Sequence, residues 1–199
     1  MKLDDYLARP PRSQPKNGQG GVASPWLDFC VITLSGTVVH VVDASYTPVE
    51  SEGCLVELAR GRYRMHVKLL VFDADWRIAQ LRAARSDCRP VRGALIGQTG
   101  TDTAKIAVYD YDVVSRDWQD EDHTSWNILN KAMQGGRTHG VAVLDEKSGA
   151  VVPFVRSGFG DGTFDVQELR ANGARVGFEI TFISPSMKYP FACDLAGNK

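Results

Sequence analysis

Cysteine is scarce in this chain and poorly spaced for metal chemistry. Cys30, Cys54, Cys88 and Cys193 are separated by 24, 34 and 105 residues, with no Cys-x-x-Cys pair and no cysteine within four residues of a histidine. Those gaps remove the usual zinc spacings, so no metal and no cofactor is expected. The thiols read as reduced structural groups, with Cys30 in FCVITL a small buried hydrophobe. No apolar run approaches the roughly 20 residues that span a bilayer, and no membrane contact is expected. The opening MKLDDYLARPPRSQPKNGQGG has no apolar core of a secretory signal, which points to the cytoplasm. Basic excess is also missing. The 23 Lys and Arg against 24 Asp and Glu leave a net charge of −1, which argues against a nucleic-acid binder. His40, His66, His123 and His139 stand at none of the metal or protease spacings, and no Gly-x-Ser-x-Gly elbow occurs. No catalytic residue is therefore named.

What is present is a strand-rich pattern on a chain long enough to bury roughly 70% of its unfolded surface. Residues 1–25 hold Pro10-Pro11 and the GQGG tract Gly18 to Gly21 with few large apolar groups, and read as an N-terminal arm, with a weak helix at DDYLAR. Residues 26–199 read as a single β-rich domain. In RYRMHVKLLVF, residues 62 to 72, Tyr63, Met65, Val67 and Leu69 alternate with Arg62, Arg64, His66 and Lys68, which is a strand with one wet face. RIAQLRAA and KIAVYDYDVV read as further strands. Hairpin signals fall at Ser35-Gly36, at Glu146 to Gly149 and at Ala171-Asn172-Gly173. One main helix is expected over SWNILNKAMQ, capped by Asp122 or Thr124. Its apolar face is Trp126, Leu129 and Met133, and Gly135-Gly136 ends it. The expected fold is α+β and β-rich: an antiparallel sheet or sandwich of many short strands with that helix packed on it.

The densest turn chemistry lies in SGFGDGTFDVQEL, residues 157 to 169. A phosphate loop would run into a helix and carry Lys, and a calcium loop would need more acids than Asp161 and Asp165. Asp161-Gly162 therefore reads as a tight turn between strands, with Gly158 and Gly160 permitting close backbone approach. The Gly-aromatic-Gly-Asp-Gly-x-aromatic run, followed by a strand, a glycine turn and the closing ARVGFEITF, resembles the C-terminal signature of a small bacterial domain family of unknown function. LSGTVVHVVDASY, GRYRMHVKLLV and RIAQLRAARSD fit the same pattern, over about residues 34 to 182. The resemblance implies a β-rich fold and no catalytic residue. Related small domains stand beside secreted-toxin genes as immunity proteins, an association rather than a mechanism.

Two charged regions bear on function. In SRDWQDEDHTSW, the acids Asp117, Asp120, Glu121 and Asp122 surround Trp118. They read as a solvated loop favouring a helix N-terminus, or as a contact surface that attracts a basic protein toxin while Trp118 anchors. The leading expectation is a non-enzymatic interaction domain that binds and neutralises such a toxin. Arg60, Arg62, Arg64 and Arg82, Arg85, Arg89 read as wet strand faces. If they converge, they form a site for an anionic ligand, and the alternative is a binding module or hydrolase with a pocket near Asp161 and these strands. A third reading is a structural subunit that uses the arm as a docking strap.

Overall fold

The computed structural model describes residues 1–8, 21–46, 53–72, 75–118, 123–184 and 186. Among the described residues twelve strands form two antiparallel sheets. The larger sheet has the order β1 (Val22–Ala23), β5 (Gly61–Phe72), β6 (Asp75–Arg85), β12 (Ala174–Thr181), β11 (Gly162–Ala171) and β7 (Val91–Thr101), and β2 (Leu27–Leu34) also pairs with β5. The smaller sheet has the order β4 (Cys54–Glu57), β3 (Val38–Asp43), β8 (Lys105–Asp110), β10 (Ala150–Arg156) and β9 (His139–Asp145).

The alternation along β5 explains the first core. Tyr63, Met65, Val67 and Leu69 are buried against Val39, Val41, Val56, Ile106 and Val108 of the smaller sheet, while Arg62 and Arg64 face outward. β3 and β8 are apolar on both faces because a second layer covers the smaller sheet. Val42, Ala107, Tyr109, Val152 and Phe154 pack there against the helices α2 (Tyr111–Asp117) and α3 (Thr124–Met133). The molecule is thus three layers: large sheet, small sheet, helices.

The β-rich antiparallel expectation holds, and the single helix does not. KIAVYDYDVV is strand only to Asp110, whose carboxylate then accepts from the Val113 N–H at 3.3 Å and starts α2. In α3, Trp126, Leu129 and Met133 meet the second core as expected, and Gly135 and Gly136 are left-handed at φ +73° and +70°. The cap differs. His123 holds that position at φ +52° with no side-chain cap bond, Thr124 lies inside the helix, and Asp122 is outside the described residues.

Two hairpins appear where turn residues signal them: β9–β10 across Glu146 to Gly149, and β11–β12 across Asn172-Gly173, both left-handed at φ +50° and +80°. The Ser35-Gly36 hairpin is not formed. β2 and β3 belong to different sheets, and the pair is a corner held by Asp110, whose Oδ2 accepts from the Ser35 and Gly36 N–H groups at 2.7 and 2.9 Å. Glycine is needed at Gly36 for space, since a Cβ there would meet the Asp110 and Asp112 carboxylates.

Two other corners are built likewise. Between β7 and β8, the buried Asp43 carboxylate accepts six hydrogen bonds at 2.6–3.0 Å, from Ser45, Thr101, Asp102 and Thr103. Burial opposes its charge, but the Ser45, Thr103 and Thr101 hydrogen bonds outweigh that and hold its pKa down at about 2. Between β10 and β11 runs SGFGDG. The Ser157 hydroxyl donates to the Gly160 carbonyl at 2.7 Å, and Gly158 has φ +61°. Asp161-Gly162 therefore joins strands of different sheets, and the glycines serve a sharp change of layer.

Part of the arm is docked. α1 (Leu3–Leu7) puts Leu3 into the first core, the Asp28 N–H donates to the Met1 carbonyl at 2.9 Å, and Asp4 meets His139 at 2.9 Å. Pro10-Pro11 and most of the GQGG tract lie outside the described residues.

Candidate functional site

The outer face of the large sheet carries the outward residues of β5, and register decides their neighbours. His66 pairs across to Arg82 of β6, Arg82 to Glu179 of β12, and Asp28 of β2 lies on the other side of His66. One row perpendicular to the strands thus reads Asp28, His66, Arg82, Glu179, two basic side chains flanked on each side by a carboxylate. His66 Nε2 lies 3.1 Å from Asp28 Oδ1. Arg82 reaches Glu179 Oε2 through Nε at 2.9 Å and Nη2 at 2.5 Å, and Arg92 of β7 contacts Oε1. Glu179 is only 2% exposed, so the two guanidiniums are what make its burial tolerable.

Trp26 lies against the Arg82 member of this row. The Arg82 guanidinium stands 4.2 Å from the indole centroid and the Lys68 ammonium 4.9 Å, both cation–π distances. Beside it opens a groove of about 270 Å³, lined by Trp26, Arg64, His66, Arg82, Ala84, Arg85, Ser86, Cys88 and Pro90. Arg85 forks onto Asp87 at 2.8 and 3.2 Å, both side chains exposed. Arg64 is exposed and makes no ion pair among the described residues. Around the groove, Arg64, Lys68, Arg82, Arg85 and Arg92 face Asp28, Asp87 and Glu179, a surplus of positive charge. Burial pushes His66 below its ordinary value of 6.5; Asp28 opposes this, and Arg82 and Arg64 add to it. The Cys88 thiol is raised, first by burial and then by Asp87, and stays protonated.

The arginine runs therefore converge in part. Arg64, Arg82 and Arg85 line the groove; Arg60, Arg62 and Arg89 do not. Asp161 does not join them. It is exposed at the β10–β11 corner, six residues before Gln167, which is the β11 residue in register with Glu179. At the rise of an extended strand that is ~20 Å. The single pocket expected near Asp161 and the arginine strands is thus two separate places. Gly162 instead borders a cleft of about 490 Å³ with Tyr46, Gln98, Thr99, Gly100, Thr101 and Asp102, which has no Arg or Lys among its described residues. Gly158, Gly160 and Asp161 do not line it.

The acidic stretch begins on the opposite, helical side. Asp117 ends α2 and takes a fork from Arg116 at 2.7 and 3.1 Å. Arg116 and then Ser148 hold its carboxyl below the usual range. Trp118 packs edge-on to Trp126 at 6.2 Å, half-buried against the second core. Asp120, Glu121 and Asp122 lie outside the described residues. The fold adds Asp112 of α2 and Asp145 and Glu146 of the β9–β10 turn to this side.

His40 is 2% exposed between Tyr109 and Tyr111, with the Tyr109 hydroxyl 3.0 Å from Nδ1, and burial lowers its pKa to about 4. It is a neutral core residue. Trp26, Arg92 and Glu179 were not singled out from sequence. For Glu179 a signal existed, a lone acid inside the apolar run ARVGFEITF, but its partners lie 97 and 87 residues away. Among the described residues no group of His, Cys, Asp and Glu is placed to hold a metal ion, and no helix is long and apolar enough to cross a membrane. Compared with known proteins, the chain matches no family model, no curated protein and no solved structure.

Proposed function

We propose that this chain is a non-enzymatic interaction domain of the bacterial cytoplasm that binds and neutralises a basic protein toxin. The observation that carries the reading is the acidic stretch that follows α2 in a nearly neutral molecule. On the helical side Asp112, Asp117, Asp145 and Glu146 are largely offset by Arg116, Lys131 and Lys147, and the acidic excess comes from Asp120, Glu121 and Asp122, which follow Trp118 in the chain. A toxin that cuts nucleic acid must itself be basic, and an acidic side speeds encounter with it and fixes its orientation. The resemblance of the GFGDGTF signature to domains found beside toxin genes supports the same reading. Because Trp118 is packed on Trp126, it contributes as a rigid, half-exposed anchor rather than as a mobile one.

The test is a native pull-down of the tagged protein from its own host, read by mass spectrometry and sizing, followed by Asp120→Lys with Glu121→Lys. A stoichiometric basic partner whose binding weakens by about tenfold or more on charge reversal supports the proposal. Unchanged affinity removes the acidic side from it, and a monomer without a partner refutes it.

A further inference from the structure

We propose that the outer edge of β7 over residues 97–101 is a strand acceptor, on which an extended, basic peptide segment of a partner adds as a further strand, independent of any contact on the helical side. The cleft of about 490 Å³ is lined by Gln98, Thr99, Gly100, Thr101 and Asp102, five consecutive residues. Successive side chains of a strand point to opposite faces, so a cleft that touches every residue of a run lies along the strand's edge and not over one face. β7 is the last strand of the large sheet, and among the described residues it pairs only with β11. On its other side, the N–H and C=O groups of alternate residues therefore face the cleft with no ladder partner among the described residues.

The two halves of β7 differ in what guards that edge. Charges, prolines and bulges are the usual protection. Between Arg92 and Gly97 the pairing with β11 shifts register twice, and the Glu168 carboxylate accepts from the Ala94 N–H there at 3.3 Å. From Gly97 to Thr101 the register with Val166 to Gly162 is unbroken, and the run holds no charge and no proline. Its inner side is pinned: the Thr99 hydroxyl donates to the Val41 carbonyl at 3.0 Å, and the Thr101 hydroxyl to Asp43 at 2.7 Å. A segment that adds to this edge therefore has only itself to order. The β2 edge, by contrast, already carries a bridge from Lys2 to Asp28. Charge selects the occupant. The cleft holds Asp102 and no Arg or Lys among its described lining residues, and the exposed Tyr46 donates its hydroxyl to Asp102 at 2.8 Å. A lysine or arginine of the added strand meets that carboxylate and the Tyr46 ring together. Main-chain bonds supply the affinity, and this end supplies the preference.

The experiment pans a phage-displayed library of random octapeptides on the full chain and titrates the best peptide as a synthetic probe. A peptide rich in β-branched residues with one lysine or arginine is expected, saturating one site at or below about 100 μM. N-methylation of one alternating set of its backbone nitrogens should weaken it about tenfold or more, and methylation of the other set should matter little, because only one set faces β7. Alternate amides of residues 97–101 should gain protection from hydrogen exchange on binding. Asp102→Asn, at an exposed position, should weaken the peptide about fivefold while the melting temperature holds. Asp120→Lys with Glu121→Lys should leave it unchanged. No enriched peptide, or tolerance of both methylated forms, overturns the strand acceptor. Protection confined to other residues overturns its place at β7. Unchanged affinity in Asp102→Asn overturns the basic character of the occupant. Loss of binding in the Asp120, Glu121 variant moves the peptide to the acidic stretch and overturns its independence. Protection of residues 97–101 that grows with protein concentration, without peptide, makes a second copy the occupant and refutes a foreign segment.

Discussion

Replacing Asp43 with asparagine isolates what one buried carboxylate does at a corner between sheets. Its Oδ1 accepts from the Ser45 N–H and from the Ser45 and Thr103 hydroxyls, and its Oδ2 accepts from the Thr101 hydroxyl and the Asp102 and Thr103 N–H groups. Hydroxyls can turn and accept from an amide; backbone N–H groups cannot. An amide nitrogen at Oδ2 would face two such donors, and at Oδ1 only one, so the better rotamer orphans the Ser45 N–H at about 1–3 kcal/mol. The remaining bonds also lose their charge assistance. A second route to the magnitude is linkage. A folded pKa of about 2 against an ordinary 3.8 corresponds to about 2 kcal/mol from the ionised form. That stabilisation is full above 3.8 and is lost as the pH falls through 2, because the group's folded pKa is depressed. Asp43→Asn should therefore cost about 2–4 kcal/mol at pH 7 in urea unfolding, and the gap to the wild type should close as the pH is lowered from 3.8 toward 2. A loss under about 0.5 kcal/mol at pH 7, or a gap that stays constant down to pH 2, would refute the assignment of Asp43 as the ionised organiser of this corner.

His40 should produce a separate acid transition. Its folded pKa is lowered to about 4 while the unfolded chain protonates near 6.5, so stability should fall by about 3 kcal/mol between those values. His40→Phe should flatten the pH dependence of the urea midpoint in that window; an unchanged slope would assign it to other groups. Gly158→Ala should lower the melting temperature by about 5 °C, since it forces φ +61° on alanine and places a Cβ 2.7 Å from Ile183 Cγ1. Leu3→Ala should cost about 2–3 kcal/mol in chemical denaturation if the docking of α1 contributes to the domain, and nothing measurable if it does not. Glu179→Gln should destabilise by about 3 kcal/mol in urea unfolding, because it leaves Arg82 and Arg92 facing each other; a loss under about 0.5 kcal/mol would count against the pairing.

Local chemistry in the sequence is enough to determine several features of this protein. The period-two alternation of residues 62 to 69 makes a strand with a buried and a wet face, because successive side chains must point to opposite sides. Asn172-Gly173 makes a hairpin, because both residues tolerate the left-handed backbone that such a turn requires. The face of α3 follows from helical spacing. Tertiary structure alone decided the rest. Ser35-Gly36 carries the same turn chemistry as a hairpin and is instead a change of layer, since the donors are satisfied by Asp110, 74 and 75 residues away. KIAVYDYDVV is apolar enough to continue as strand, and the Asp110 carboxylate at the end of β8 turns it into a helix. The arginine groove was legible only as two wet faces. Which arginines meet, and that Glu179 and Trp26 stand between them, follows from cross-strand register, which depends on how two sheets bury a common core and not on any local run of residues.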